Sequence, residues 1–126
     1  MINKKKIIND PIYGFVNIES ALVFDLIEHP YFQRLRRIKQ LGLTNLVYPG
    51  ANHTRFHHAL GAMHLITKAL KVLKSKGVEI TDEEQTAAQI AILLHDIGHG
   101  PFSHVMEHAF VKNITHEHIS LAFMKA

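Results

Sequence analysis

The sequence predicts an all-α fold fronted by a short β-hairpin or extended arm. Residues 55–76 place Leu60, Met63, Ile66, Leu70 and Leu73 at helical spacing. Thr81 and Glu84 form a capping box ahead of a nearly all-apolar run over residues 89–94. Residues 6–18 instead alternate weakly and carry Asp10-Pro11 and Gly14, which suits a hairpin or an arm.

After the arm, Ser20 supplies a cap for a helix running to Glu28, where His29-Pro30 interrupts it. Pro30, at a first-turn position, starts a second helix expected to reach about Gln40, and Gly42 ends it. Residues 43–52 read as an irregular connector with a turn at Pro49-Gly50. The longest helix follows over residues 55–76, with Lys68, Lys71 and Lys74 off its apolar side and Gly77 closing it. The helix capped by Thr81 delivers His95 and Asp96. Gly98, Gly100 and Pro101 then force the chain into a tight turn, and two short helices are expected, over residues 101–111 and from Thr115 onward. Residues 119–126 look helical and carry no stop signal, so the chain is expected to be an amino-terminal fragment.

With 126 residues, 47% hydrophobic and 20% charged, the composition suits one globular domain, taken as residues 1–126. The absence of cysteine excludes a disulfide framework and a thiolate metal site and gives no sign of secretion. Residues 1–8 are basic but too short in their apolar part for a signal peptide or a membrane span, so a cytoplasmic protein without membrane attachment is expected. A formal charge of +3 suits an anionic ligand and is too small to demand nucleic acid.

The chemistry concentrates at His95 and Asp96. A charged Asp at the end of an apolar helix needs partners or a metal ion, and a carboxylate beside an imidazole suits a first-row divalent cation. His58, in the first turn of the long helix, is expected to project toward the same place. The glycine-punctuated turn should bring His99 and His104 back beside them. Five titratable groups converging in this way are hard to explain as core packing alone.

Several segments in order carry a family resemblance: Ile8-Asn9-Asp10-Pro11-Ile12-Tyr13-Gly14, Phe32-Gln33-Arg34-Leu35-Arg36, Ile38-Lys39-Gln40-Leu41-Gly42, Tyr48-Pro49-Gly50-Ala51, Arg55-Phe56-His57-His58-Ala59-Leu60-Gly61, the run from His95 to His104, and Thr115-His116-Glu117. The chain resembles the HD-domain phosphohydrolases, in the branch that hydrolyses deoxynucleoside triphosphates. The resemblance implies an HD-domain helical bundle in which His58, His95 and Asp96 are three of four ligands to a divalent ion, whether manganese, magnesium, iron, zinc or nickel. The family's fourth ligand, a downstream Asp, is not matched by Asp10, Asp25 or Asp82. The resemblance also implies that Arg55 and Gln40 reach a nucleoside triphosphate substrate. Lys6, Asn9, Gln33 and Arg36 would help line a regulatory nucleotide site at a subunit interface of a homo-oligomeric parent protein, with Glu28 in place of a guanine-reading Asp.

By the same resemblance the products are a deoxynucleoside and inorganic triphosphate. His104 is the expected proton donor to the leaving 5'-oxygen, with Glu107 one helical turn later to orient it. His99 and His116 are further candidates for phosphate contact, and Glu117 for holding His116. Two other readings stay open: a non-catalytic nucleotide-binding HD module, and a nucleic-acid-binding helical protein. The second is disfavoured because the basic residues lack interleaved stacking aromatics.

Overall fold

The computed structural model describes residues 5–109 and 113–126. Strands β1 (Lys6–Asp10) and β2 (Gly14–Ile18) form an antiparallel hairpin in which Ile8 faces Val16. Asp10 closes the turn. Its Oδ1 accepts the amides of Ile12 at 2.7 Å and Tyr13 at 2.9 Å, and its Oδ2 lies 2.5 Å from His57 Nε2. Burial would raise the Asp10 carboxyl, but these bonds together hold it below the ordinary aspartate value. One side chain therefore shapes the hairpin and fastens it to the helix that carries the site.

Helix α1 (Ala21–Glu28) starts at Ser20, whose Oγ accepts the Val23 amide. Helix α2 (Pro30–Gln33) begins on Pro30 as expected but tightens into a 3-10 turn over Arg34–Arg37 and stops short of Gln40. Long-range pairing overrides the local helical tendency. Ile38 turns extended, its carbonyl accepts the Arg55 amide at 2.8 Å, and the Gln40 amide donates to the His53 carbonyl at 3.1 Å. Gly42, at φ +58°, completes the exit. A 3-10 turn over Thr44–Leu46 interrupts the connector.

Helix α3 (Arg55–Ser75) is capped by Thr54 and packs along α4 (Asp82–Leu94), whose capping box is formed by Thr81 and Glu84. Leu60, Met63 and Leu70 are buried as predicted, whereas Leu73 is 42% exposed. Polar contacts continue the seam: Gln89 Nε2 donates to Thr67 Oγ1 and Lys74 Nζ to Gln85 Oε1. The core joins Val16 and Ile18 of β2, Val23 and Ile27 of α1, Phe32 of α2, Leu35 of the 3-10 turn, Phe56 and Ala59 of α3, and Leu93 of α4. The Phe32 and Phe56 rings stand 5.3 Å apart at its centre.

Helix α5 (His104–Ala109) starts later than expected, because Phe102 and Ser103 adopt positive φ and extend the turn after Pro101. Its expected end at Val111 lies outside the described residues. Helix α6 (His116–Lys125) follows Thr115, whose amide and hydroxyl both reach His118 Nδ1. No helix among the described residues is long and apolar enough to cross a membrane.

A candidate metal and phosphate site

The amino terminus of α3 and the carboxyl terminus of α4 meet at Asp96, which is 5% exposed. Arg55, the first residue of α3 and equally buried, donates from Nη1 to Asp96 Oδ2 at 2.8 Å. Its Nη2 reaches Ser103 Oγ at 2.7 Å and the Gln40 carbonyl at 3.3 Å. One guanidinium thus ties the α4 carboxyl end to the connector and to the turn before α5. His58 Nε2 lies 3.7 Å from Asp96 Oδ2, and His95 Nε2 3.4 Å from Asp96 Oδ1. The other His95 nitrogen, Nδ1, is 2.5 Å from the Ile92 carbonyl, an assignment that makes Nδ1 the protonated nitrogen and leaves the Nε2 lone pair free.

These three residues fit a divalent ion. Their donor atoms all lie within 4.8 Å of one another. Ligands at bond lengths of about 2.1 Å around a tetrahedral ion stand about 3.4 Å apart, close to the separations found here. Charge agrees with geometry. Burial would raise the Asp96 carboxyl, yet His95, Arg55 and His99 hold it below the ordinary value. Burial lowers His58, outweighing the opposing pull of Asp96, so its imidazole is neutral and its lone pair is available at neutral pH.

A second group adjoins the first. His99, 1% exposed, faces Asp96 Oδ1 through Nε2 at 3.5 Å and Glu107 Oε1 through Nδ1 at 3.9 Å. Its Nδ1 is buried without a hydrogen-bond partner. Burial, reinforced by the Arg55 charge, pushes the His99 pKa down to about 4 despite Asp96, so the ring is neutral at physiological pH. The His116 ring stacks on it at 4.0 Å. Glu107 Oε1 is 2.8 Å from His116 Nδ1 and 3.5 Å from His104 Nδ1. Burial would raise Glu107, but the bond from His116 holds it low.

The expected pairing of Glu107 with His104 is therefore secondary to its pairing with His116. Phe102 and Ser103 delay the start of α5, which leaves the His104 side chain 57% exposed, while α6 brings His116 directly onto Glu107. Glu117 is exposed. Gln40 lines two hollows. One, of about 700 Å³, is walled by Leu41, Leu43, Phe102 and His104, and the other, of about 500 Å³, by Tyr13, His53, His57 and His58.

The residues expected to hold a regulatory nucleotide form two local pairs. Lys6 Nζ contacts Glu28 Oε1, and Arg36 Nε donates to Gln33 Oε1 at 2.7 Å while its guanidinium lies over the Phe56 ring. Asn9 is exposed on β1. Two site contacts were not foreseen. Ser120 of α6 accepts the Gly98 amide at 2.8 Å and donates to the His95 carbonyl at 3.2 Å, and Arg34 reaches the carbonyls of Ile97 and His99. Arg34 reads in sequence as one of several basic residues on a solvated helix, and only its burial distinguishes it.

The HD domain family model matches residues 55–126, more than half of the chain, and the chain belongs to that family. An uncharacterised protein of Bacillus subtilis is 41% identical over 116 residues, covering 92% of this chain and 26% of that protein. The deoxynucleoside triphosphate triphosphohydrolase SAMHD1 of Danio rerio is 46% identical over 108 residues, 84% of this chain and 17% of the enzyme, and that of Homo sapiens is 44% identical over 112 residues. Among solved structures, a phosphohydrolase of Bacteroides thetaiotaomicron is 57% identical with a TM-score of 0.93, over 97% of this chain and 30% of that one. The chain spans less than a third of the length of each of these relatives.

Proposed function

We propose that the protein is a metal-dependent phosphohydrolase that cleaves deoxynucleoside triphosphates to deoxynucleoside and inorganic triphosphate. The observation that carries this reading is the junction of two donor groups. His58, His95 and Asp96 adjoin His99, His104, Glu107 and His116, and His99 faces both. The likeness to proteins named as deoxynucleoside triphosphate triphosphohydrolases supports the choice of substrate.

His58, His95 and Asp96 would hold the divalent ion, which supplies Lewis-acid polarisation and a readily deprotonated water when bound. Arg55, charged and fixed by Asp96 and Ser103, offers positive charge to the phosphate chain. Gln40, which lines the apolar hollow with Leu41 and Phe102, would meet the nucleoside. The Glu107–His116 pair is the better candidate for delivering a proton to the leaving 5'-oxygen, because a carboxylate at 2.8 Å orients the imidazole. His104, more exposed, would contact phosphate oxygens. Neutral His99, buried with its two ring nitrogens toward Asp96 and Glu107, would link the two donor groups from within the core. The regulatory nucleotide site at Lys6, Asn9, Glu28, Gln33 and Arg36, and a homo-oligomeric parent protein, belong to the same proposal.

The test is metal content and release of triphosphate from each deoxynucleoside triphosphate in manganese, with His95→Ala/Asp96→Ala as control. The reading expects stoichiometric metal and turnover in the protein and loss of both in the control. Turnover that survives in the control refutes it. A protein that binds nucleotide with no turnover on any substrate is instead the non-catalytic module.

A further inference from the structure

We infer that Arg34 is a positioning residue that clamps the turn after α4 and thereby sets where Asp96 and His99 stand; the inference rests on the site proposed above. Arg34 lies on the 3-10 turn over Arg34–Arg37, far in sequence from the site. Its Nη1 donates to the His99 carbonyl at 2.9 Å and its Nη2 to the Ile97 carbonyl. The two bonds straddle Gly98. On the other side of the same turn, Ser120 Oγ accepts the Gly98 amide and donates to the His95 carbonyl. The backbone between His95 and His99 is thus held from two directions by side chains of two different elements.

This backbone has little support of its own. Helix α4 ends at Leu94, and among the described residues the backbone bonds from the Ile97 amide to Leu94 and from the His99 amide to Asp96 continue its winding. The carbonyls of Ile97 and His99 lie in the turn beyond that end, where no backbone amide among the described residues donates to them, so the Arg34 guanidinium satisfies both. Asp96 and His99 project from this turn toward the ion ligands and toward Glu107, so a rotation of the turn would move both together. The guanidinium is itself held in place, half-buried with its face 5.1 Å from the Phe123 ring of α6.

The chemistry selects arginine. Two carbonyls two residues apart require a planar fork with parallel N–H groups, which a lysine ammonium does not offer. An arginine that only filled space or supplied charge would be replaceable by lysine. Arginine acting through the fork would not.

The experiment compares the protein with Arg34→Lys and Arg34→Gln, measuring manganese affinity, kcat and KM for a deoxynucleoside triphosphate, and the imidazole ¹⁵N signals of His95 and His99 without metal. Loss of support beyond the ligand shell typically weakens metal affinity or activity about 10- to 100-fold. Both variants should show a loss of that size in manganese affinity and in kcat, a KM changed less than about threefold, and displaced His99 signals. Arg34→Lys, which keeps the stem and the charge, guards against a simple folding failure. Wild-type affinity, kcat and His99 signals in Arg34→Lys overturn the inference. If the unaltered protein neither binds manganese nor turns over, the proposed function fails, and the metal-free His99 signals still decide the clamp: displaced signals in both variants uphold it and unchanged ones overturn it.

Discussion

Gly98→Ala tests how tightly the site turn is built. A Cβ at residue 98 would stand 2.7 Å from Ser120 Oγ and nearer still to the His116 carbonyl oxygen and the Ser120 amide nitrogen. Two of those atoms are backbone of α6 and cannot rotate away. Relief to an ordinary contact requires α6 to retreat by on the order of 1 Å, which also stretches the Gly98–Ser120 hydrogen bond. Overpacking of this kind costs about 1–3 kcal/mol and a lost buried hydrogen bond about 1 kcal/mol. Together they predict destabilisation of about 3 kcal/mol, a fall in Tm of roughly 10 °C for a chain of this size. Because His116 opens α6, the same retreat separates it from Glu107 and His99, and a misplacement of about 1 Å can cost on the order of 100-fold in turnover. Urea unfolding and steady-state turnover measure the two effects, with Gly50→Ala as the control because nothing lies within 4 Å of a Cβ there. A Gly98→Ala protein within about 0.5 kcal/mol of Gly50→Ala would refute the packing argument.

Two further outcomes follow from the buried titratable groups. His99 carries an ordinary value of 6.5 unfolded and about 4 folded, so as pH falls the unfolded chain takes up the proton first; stability present above pH 6.5 is lost down to about pH 4. The difference corresponds to about 3 kcal/mol, so urea midpoints of metal-free protein should drop across that window, and a His99→Gln variant showing an equal drop would contradict this origin. For the hairpin anchor, His57→Ala should cost about 1 kcal/mol and speed amide exchange in β1 and β2, whereas Asp10→Ala, which also loses the amides of Ile12 and Tyr13, should cost more; equal effects would show that Asp10 acts only through His57.

Local chemistry was enough to place most elements. The Thr81–Glu84 box, Ser20, Pro30 and Gly77 act through neighbours a few residues away, and each stands in the fold as its sequence context predicts. The order of motifs from Ile8 to Glu117 was likewise enough to indicate the HD family, and the family model matches residues 55–126. The end of α2 was not readable locally, because Ile38 and Gln40 exchange a helical continuation for hydrogen bonds with Arg55 and His53, partners well over ten residues away. The choice of partner for Glu107 was decided in the same way. Sequence spacing points to His104, one turn along the helix, but α6 folds back to set His116 at 2.8 Å. Arg34 is the clearest case. In sequence it is one basic residue among Arg36, Arg37 and Lys39, and only the packing of its segment against the α4 terminus turns it inward to the Ile97 and His99 carbonyls. Caps, breakers and motif order are short-range properties carried by the chain itself, whereas hydrogen-bond partners across the core depend on which surfaces the closed fold brings together.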